Sequence, residues 1–213
     1  RDVRVDHIRG NAPQQFTYVA AGVPVPAAPG GRNNWFQPWT FMDSGDLFGV
    51  ARAEYDITPD WTVYGSAGMR NTRLDSLRGG LAMITDVSGN LTETVRYRPS
   101  SAWVNTEEVG IRGRAQTGPI DHTIVASGTR ILVELGQFDS PTLATVQSNL
   151  YQPTFVNKPN YRTTTPPKIS ATELSSLALA DILSAYDDRV QLLLGGRLQR
   201  IQATNFSAIT GHA

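Results

Sequence analysis

Three features of this 213-residue sequence predict an all-β chain, an antiparallel segment of a membrane-spanning β-barrel. Period-two alternation runs through six long stretches and sorts apolar side chains onto one face and polar ones onto the other. Three tight turns join these stretches in pairs. Three long connections separate the pairs, and short turns at one end with long loops at the other are the asymmetry of outer-membrane barrels. A soluble sandwich spaces its strands and turns more evenly.

Composition sets bounds around that prediction. The chain has 19 basic and 19 acidic residues and no basic run, which removes a nucleic-acid footprint. It contains no cysteine, so disulfides and thiolate ligands are excluded. No apolar stretch is long enough for a spanning helix, but a barrel strand needs only about 9–11 residues and passes a hydropathy scan unseen.

Residues 1–9, RDVRVDHIR, alternate weakly and read as the tail of a strand already under way at Arg1. From Gly10 to Asp43 come prolines at 13, 24, 26, 29 and 38 with the rings of Phe16, Tyr18, Trp35, Phe36, Trp39 and Phe41. Disordered segments are poor in aromatics, so an ordered loop is expected here. The first hairpin follows as strands 45–57 and 61–74. Its apolar face carries Leu47, Ala51, Ala53, Tyr55, Ile57, Trp61, Val63, Ala67 and Met69. A turn at Thr58-Pro59-Asp60 would pair Ile57 with Trp61, Tyr55 with Val63 and Ala53 with Gly65, like face on like face. Tyr55 and Trp61 then stand beside the turn as amphipathic rings suited to a membrane–water boundary.

Leu74 to Ser100 reads as a second polar connection with one short strand at 93–98. The second hairpin comprises 102–116 and 120–135 around Thr117-Gly118-Pro119-Ile120, and Asn105 and Glu107 mark an end that stands clear of the bilayer. From Leu135 to Ser170 the pattern lapses among prolines 141, 153, 159, 166 and 167, with Phe138, Tyr151, Phe155 and Tyr161 between them. Strands 171–186 and 190–206 close the series around Asp187-Asp188-Arg189. The stretch ELSSLALADILSAY is apolar on both faces and could suit a helix, but its hairpin partner and turn make it a strand.

Catalytic chemistry finds no foothold. His7, His122 and His212 lack metal-ligand spacing, and neither a phosphate-cradling glycine loop nor a nucleophile elbow is present. No catalytic residue, protein-held metal or resident cofactor is expected. The polar face carries Asp46, Arg52, Glu54, Asp56, Arg70, Glu108, Arg112, Arg114, Asp181 and Arg197, which a hydrated lumen would accept as a ladder of opposite charges.

Four stretches, EYDITPDWTVYGSAGMR, EVGIRGRAQTGPIDHTIVASG, NLYQP and LALADILSAYDDRVQLLLGGRLQ, together and in this order resemble the middle of a TonB-dependent siderophore receptor of the ferrichrome or ferric-hydroxamate type. The resemblance implies a plugged barrel of about 22 strands in the outer membrane of a Gram-negative bacterium. It implies a ferric siderophore as transported ligand, outer-membrane lipid around the wall, and the TonB complex engaged through an N-terminal plug region. On this footing the chain is expected to be a barrel fragment without the plug, and such a fragment leaves two sheet edges that lipid does not tolerate.

The resemblance also assigns expected roles. Arg52, Glu54, Arg70, Arg112, Arg114 and Arg197 would face the plug across the lumen. A ferric hydroxamate is bulky, largely uncharged and saturates its own iron, so loop aromatics would hold it: Phe138, Trp39, Phe41, Tyr97, Trp103 and Tyr151, with Phe138 foremost and Tyr161 outside the pocket. Against this stands a plainer role for the same rings, packing the loops together or forming the outer girdle. A reading from another class also remains open: a soluble or surface β-sandwich module that engages carbohydrate or protein through these aromatics.

Overall fold

The computed structural model describes residues 2–9, 16–31, 34–186 and 188–207. Its strands are β1 (Asp2–Arg9), β2 (Phe16–Val19), β3 (Phe41–Thr58), β4 (Trp61–Ile84), β5 (Asn90–Tyr97), β6 (Ser100–Thr117), β7 (Ile120–Gln137), β8 (Ala144–Asn149), β9 (Lys168–Ala185) and β10 (Val190–Asn205). All belong to one sheet, and no helix occurs among the described residues. The order β1-β3-β4-β6-β7-β9-β10 forms a continuous antiparallel wall. No second sheet faces it among the described residues, so the sandwich reading falls: a sandwich buries the inner face of each sheet against the other.

The long strands extend beyond the predicted spans mainly at the end away from the tight turns. β3 begins at Phe41 rather than 45, β6 at Ser100 rather than 102 and β9 at Lys168 rather than 171. The largest departure is the second connection. β4 continues to Ile84 and turns back through β5, which draws β8 out of the third connection, while β2 pairs in parallel with the end of β4. A register shift between Gly79 and Ala82 interrupts the period of two, which hides this hairpin from a pattern scan. Where it is described, the first connection contributes β2 and the buried Gln37 and Thr40, and its residues 10–15 and 32–33 lie outside the described range.

The tight turns obey local chemistry. Tyr55 pairs with Val63 and Ala53 with Gly65, but a bulge between Asp56 and Thr58 makes Thr58, not Ile57, the partner of Trp61. Gly118 takes φ +61° in the second turn, a conformation that costs glycine little. The third turn holds Tyr186 and Asp188 at φ 56° and 62°. Asp187 lies outside the described residues.

Register then assigns the faces. On one side the wall is apolar from Leu47 to Ile57 on β3, Trp61 to Met69 on β4, Val109 to Gly113 on β6, Ile124 to Gly128 on β7 and Val190 to Leu198 on β10. Above it a charged stripe begins, with Glu107 beside Ala67, Arg130 beside Glu107, and Arg200 beside Ser175. In the middle of the wall the opposite side is the shielded one, with Tyr64, Ser176 and Ser184 at 9%, 7% and 9% exposed against 67%, 66% and 57% for Val109, Leu177 and Leu179, whereas Val50 and Leu193 nearer the sheet edges are open on the polar side. That is the signature of a sheet curled around its polar face. Asp181 departs from expectation, because the register puts it between Ile124 and Leu194 on the apolar face, where its Oδ2 meets His122 Nδ1 at 2.7 Å.

Candidate functional site at the outer end of the wall

Arg52, Glu54, Arg70, Arg112, Arg114 and Arg197 all fall on the curled-in polar face. Most spend their charge on neighbours there. Glu54 accepts from Arg52 Nε at 2.8 Å and from Arg112. Both guanidiniums sit over the Tyr64 ring, at 5.0 and 5.9 Å from its centroid. Tyr64 can lie flat there because its strand neighbour is Gly110, where a Cβ would come within 2.4 Å of the phenol. Arg70 donates to Asp46 at 2.9 Å, and Arg197 reaches Ser176 Oγ at 2.7 Å. Arg114 is exposed near the turn.

At the other end the chain builds a cap with its own core. Phe41, Leu77, Val95, Tyr97 and Val146 form one buried cluster, with Trp39, Phe138, Leu143 and Tyr161 packed on it. Ala82, Ile84, Leu91 and Leu150 form a second, flanked by Val19, Trp35 and Tyr151. Two long connections close over these clusters and are fastened to each other. The fully buried Gln37 donates to Thr154 O at 2.9 Å and accepts from Val156 N at 3.0 Å, and Trp39 Nε1 donates to Val156 O at 2.7 Å. Tyr151 donates its hydroxyl to Ala27 O at 2.6 Å.

The rings expected to form a pocket are therefore only partly brought together. Trp39, Phe41, Tyr97 and Phe138 do meet, but Phe41 and Tyr97 are 8% and 2% exposed and belong to the cap core. The row Phe41–Leu77–Tyr97 is also in register with Leu47 and Ala51, on the face turned away from the lumen. Trp103 lies lower on that same face, between Asn71 and Glu134, and Tyr151 belongs to the second cluster. Tyr161, expected to stand apart, stacks on Tyr97 with ring centroids 4.8 Å apart. Burial, with a hydrogen bond to Asp75, pushes the Tyr97 phenol up to about 12. Beside these rings a cleft of about 650 Å³ is lined by Trp39, Phe41, Asp43, Asp75, Lys158 and Tyr161.

Pattern reading missed the charged groups on the cap's other face. Arg78 and Arg96 are direct cross-strand partners on the polar side, and Arg98 beside them donates Nη2 to Asp139 Oδ2 at 2.9 Å. Gln137 Nε2 also donates to Asp139, at 2.9 Å. Burial works to raise the Asp139 carboxyl, but the hydrogen bonds from Arg98 and Gln137 outweigh it and hold the group below the usual carboxylate range. The spacing Arg96-x-Arg98 was visible in the sequence, but its pairing with Arg78 required the hidden hairpin.

No family model matches the chain. The ferrichrome receptor FcuA of Yersinia enterocolitica is 30% identical over 197 residues, covering 89% of this chain and 25% of the relative. The ferric preacinetobactin receptor BauA of Acinetobacter baumannii superposes with a TM-score of 0.77 and 26% identity over 93% of this chain and 30% of that one. The chain belongs with the TonB-dependent siderophore receptors. It spans about a quarter of the length of the curated relative, as a stretch of receptor barrel. The open form of the ferric-catecholate import receptor Fiu from E. coli K12 shares the fold at TM-score 0.67, with 18% identity over 80% of this chain and 27% of that one. Both buried clusters sit at this one end of the sheet, where the long connections pack over it.

Proposed function

We propose that this segment serves, within an outer-membrane receptor of a Gram-negative bacterium, in the uptake of a ferric siderophore energised through the TonB complex. The observation that carries the reading is the division of one sheet into three zones: an apolar outward stripe, a charged inward face and a packed cap at the end of the long connections. A lipid-facing stripe needs no protein cover. The inward charges, paired among themselves, would line the lumen toward a plug. The siderophore is cargo, and the segment supplies no iron ligand of its own in this account. Its relatives are receptors, and no catalytic role is assigned to any residue.

The test uses the receptor as expressed in iron-starved cells. Uptake of radiolabelled iron from siderophore complexes is expected to fall to background when its gene is deleted and when TonB is absent. Uptake unchanged by both deletions would overturn the proposal. Single cysteines at Pro29, Gly89 and Thr154 should label in intact cells with an impermeant reagent, and those at Asp60 and Asp188 should not.

A further inference from the structure

The cap's inward face holds three guanidiniums around one carboxylate. Arg78 and Arg96 stand directly opposite each other on β4 and β5, an arrangement of like charges that destabilises a strand pair unless something offsets it. Arg98 is engaged with Asp139, and Arg96, whose charge also acts on Asp139, donates to the Thr142 hydroxyl at 3.4 Å. The Arg78 Nε is buried and has no hydrogen-bond partner among the described residues. Burial, reinforced by the charge of Arg98, lowers the Arg78 pKa, and the Asp139 carboxylate offsets only part of that cost of keeping a cation there. The cap's other acidic side chains do not relieve it: Asp75 and Glu93 belong to the opposite face of β4 and β5, and Asp86 is taken up by its own turn through Ser88 and Asn90. The cluster thus carries an excess of positive charge on the continuation of the polar face that lines the lumen.

We infer that Arg78, Arg96 and Arg98 form an anion-binding site at the mouth of the barrel, selecting a negatively charged ferric chelate over a neutral one. The inference rests on the uptake reading and sharpens its substrate class. Phe41 and Tyr97, two of the rings expected to hold an uncharged chelate, are turned outward into the cap core, while the guanidiniums are turned inward. Guanidinium suits an anionic chelate because its planar fork of donors matches catecholate or carboxylate oxygens in pairs, and because it keeps its charge when partly desolvated. A neutral trihydroxamate complex would leave the excess charge unmet.

The experiment measures binding of two radiolabelled probes to outer membranes containing the full-length receptor: the trianionic ferric complex of a tris-catecholate and the neutral ferric complex of a trihydroxamate. The anionic probe is expected to bind at least about tenfold more tightly, with the preference shrinking as salt rises and screens the charges. Arg78→Gln and Arg96→Gln should each weaken the anionic probe by about tenfold and leave the neutral probe within about twofold. Arg96→Lys should retain most of the affinity. Arg96 is exposed, so its variants report even where Arg78→Gln lowers receptor abundance on an immunoblot. A parent that binds the neutral probe as well as or better than the anionic one, or an Arg96→Gln variant with unaltered selectivity, overturns the anion site while leaving siderophore uptake standing. Binding of neither probe, with iron uptake independent of the receptor gene, overturns the uptake reading itself and this inference with it.

Discussion

The wall and the cap are made of the same kind of strand and solve opposite problems. In the wall, Leu177, Leu179 and Leu198 are among the most exposed side chains, an exposure that hydrocarbon rather than water would meet in the proposed membrane setting. In the cap, water surrounds the structure, and Leu77, Leu91, Val95 and Tyr97 are almost wholly buried. The wall is held by its hydrogen-bonded register and by ion pairs between its strands, the cap by a core and by side chains that tie one loop to another. Where a β-sheet leaves the bilayer, it must begin to behave like a soluble protein.

The strongest way to break this comparison is at the cap core. Tyr97→Ala should cost about 3–5 kcal/mol of local stability, the usual range for deleting a buried aromatic. Hydrogen exchange should quicken across residues 77–97 and stay unchanged in the turns at Pro59 and Gly118. Equal loosening at both ends would mean that cap and wall are one cooperative unit.

A somewhat smaller effect is expected in the wall. Ala126→Arg, in the apolar stripe, should cost about 2–4 kcal/mol in lipid, and Ser127→Arg on the polar face much less. Ala67→Arg should be milder than Ala126→Arg because Glu107 lies beside it across the strand pair. Urea unfolding in bilayers would measure all three, and a reversed order at 126 and 127 would invert the faces.

Next comes the tie between the loops. Gln37→Ala removes the partner of both Thr154 O and Val156 N, and should cost about 1–3 kcal/mol. Protease cleavage should then rise in residues 150–167 and not at β5. Cleavage that rises equally in both would show that the tie supports the core rather than the loop alone.

The most graded effect involves Glu93, in register between Ala82 and Val146 in the buried face of the cap. Burial pushes its carboxyl up from 4.5 to about 7. Folding therefore takes up a proton between those values, so the cap gains stability as pH falls from about 7 toward 4.5 and loses it as pH rises through 7. The change can be no more than about 1.4 kcal/mol per pH unit. Glu93→Gln should flatten the pH dependence of hydrogen exchange at residues 90–97, and a slope that persists would assign it to another group.

How much of this was legible depended on which interactions decide each part. Arg52, Glu54, Arg70, Arg112, Arg114 and Arg197 could be assigned to one face from parity alone, because six strands keep their alternation and a tight turn transmits register from one to the next. The ring cluster was only half legible: Trp39, Phe41, Tyr97 and Phe138 were singled out by type, but their burial and the place of Tyr161 beside them were not. An aromatic in a long loop has the same composition whether it faces a ligand or a core.

By itself, then, the sequence determined the wall, since alternation, turn residues and the apolar stripe are local or near-local properties that each strand carries. Tertiary structure alone decided the cap. The bulge between Gly79 and Ala82 breaks the alternation that would reveal its hairpin, and the capture of β8 by β5 and the Gln37 link to residues 154 and 156 join segments roughly 50–120 residues apart. Contacts at that separation leave no periodic trace in the chain, because loop closure rather than local propensity selects them.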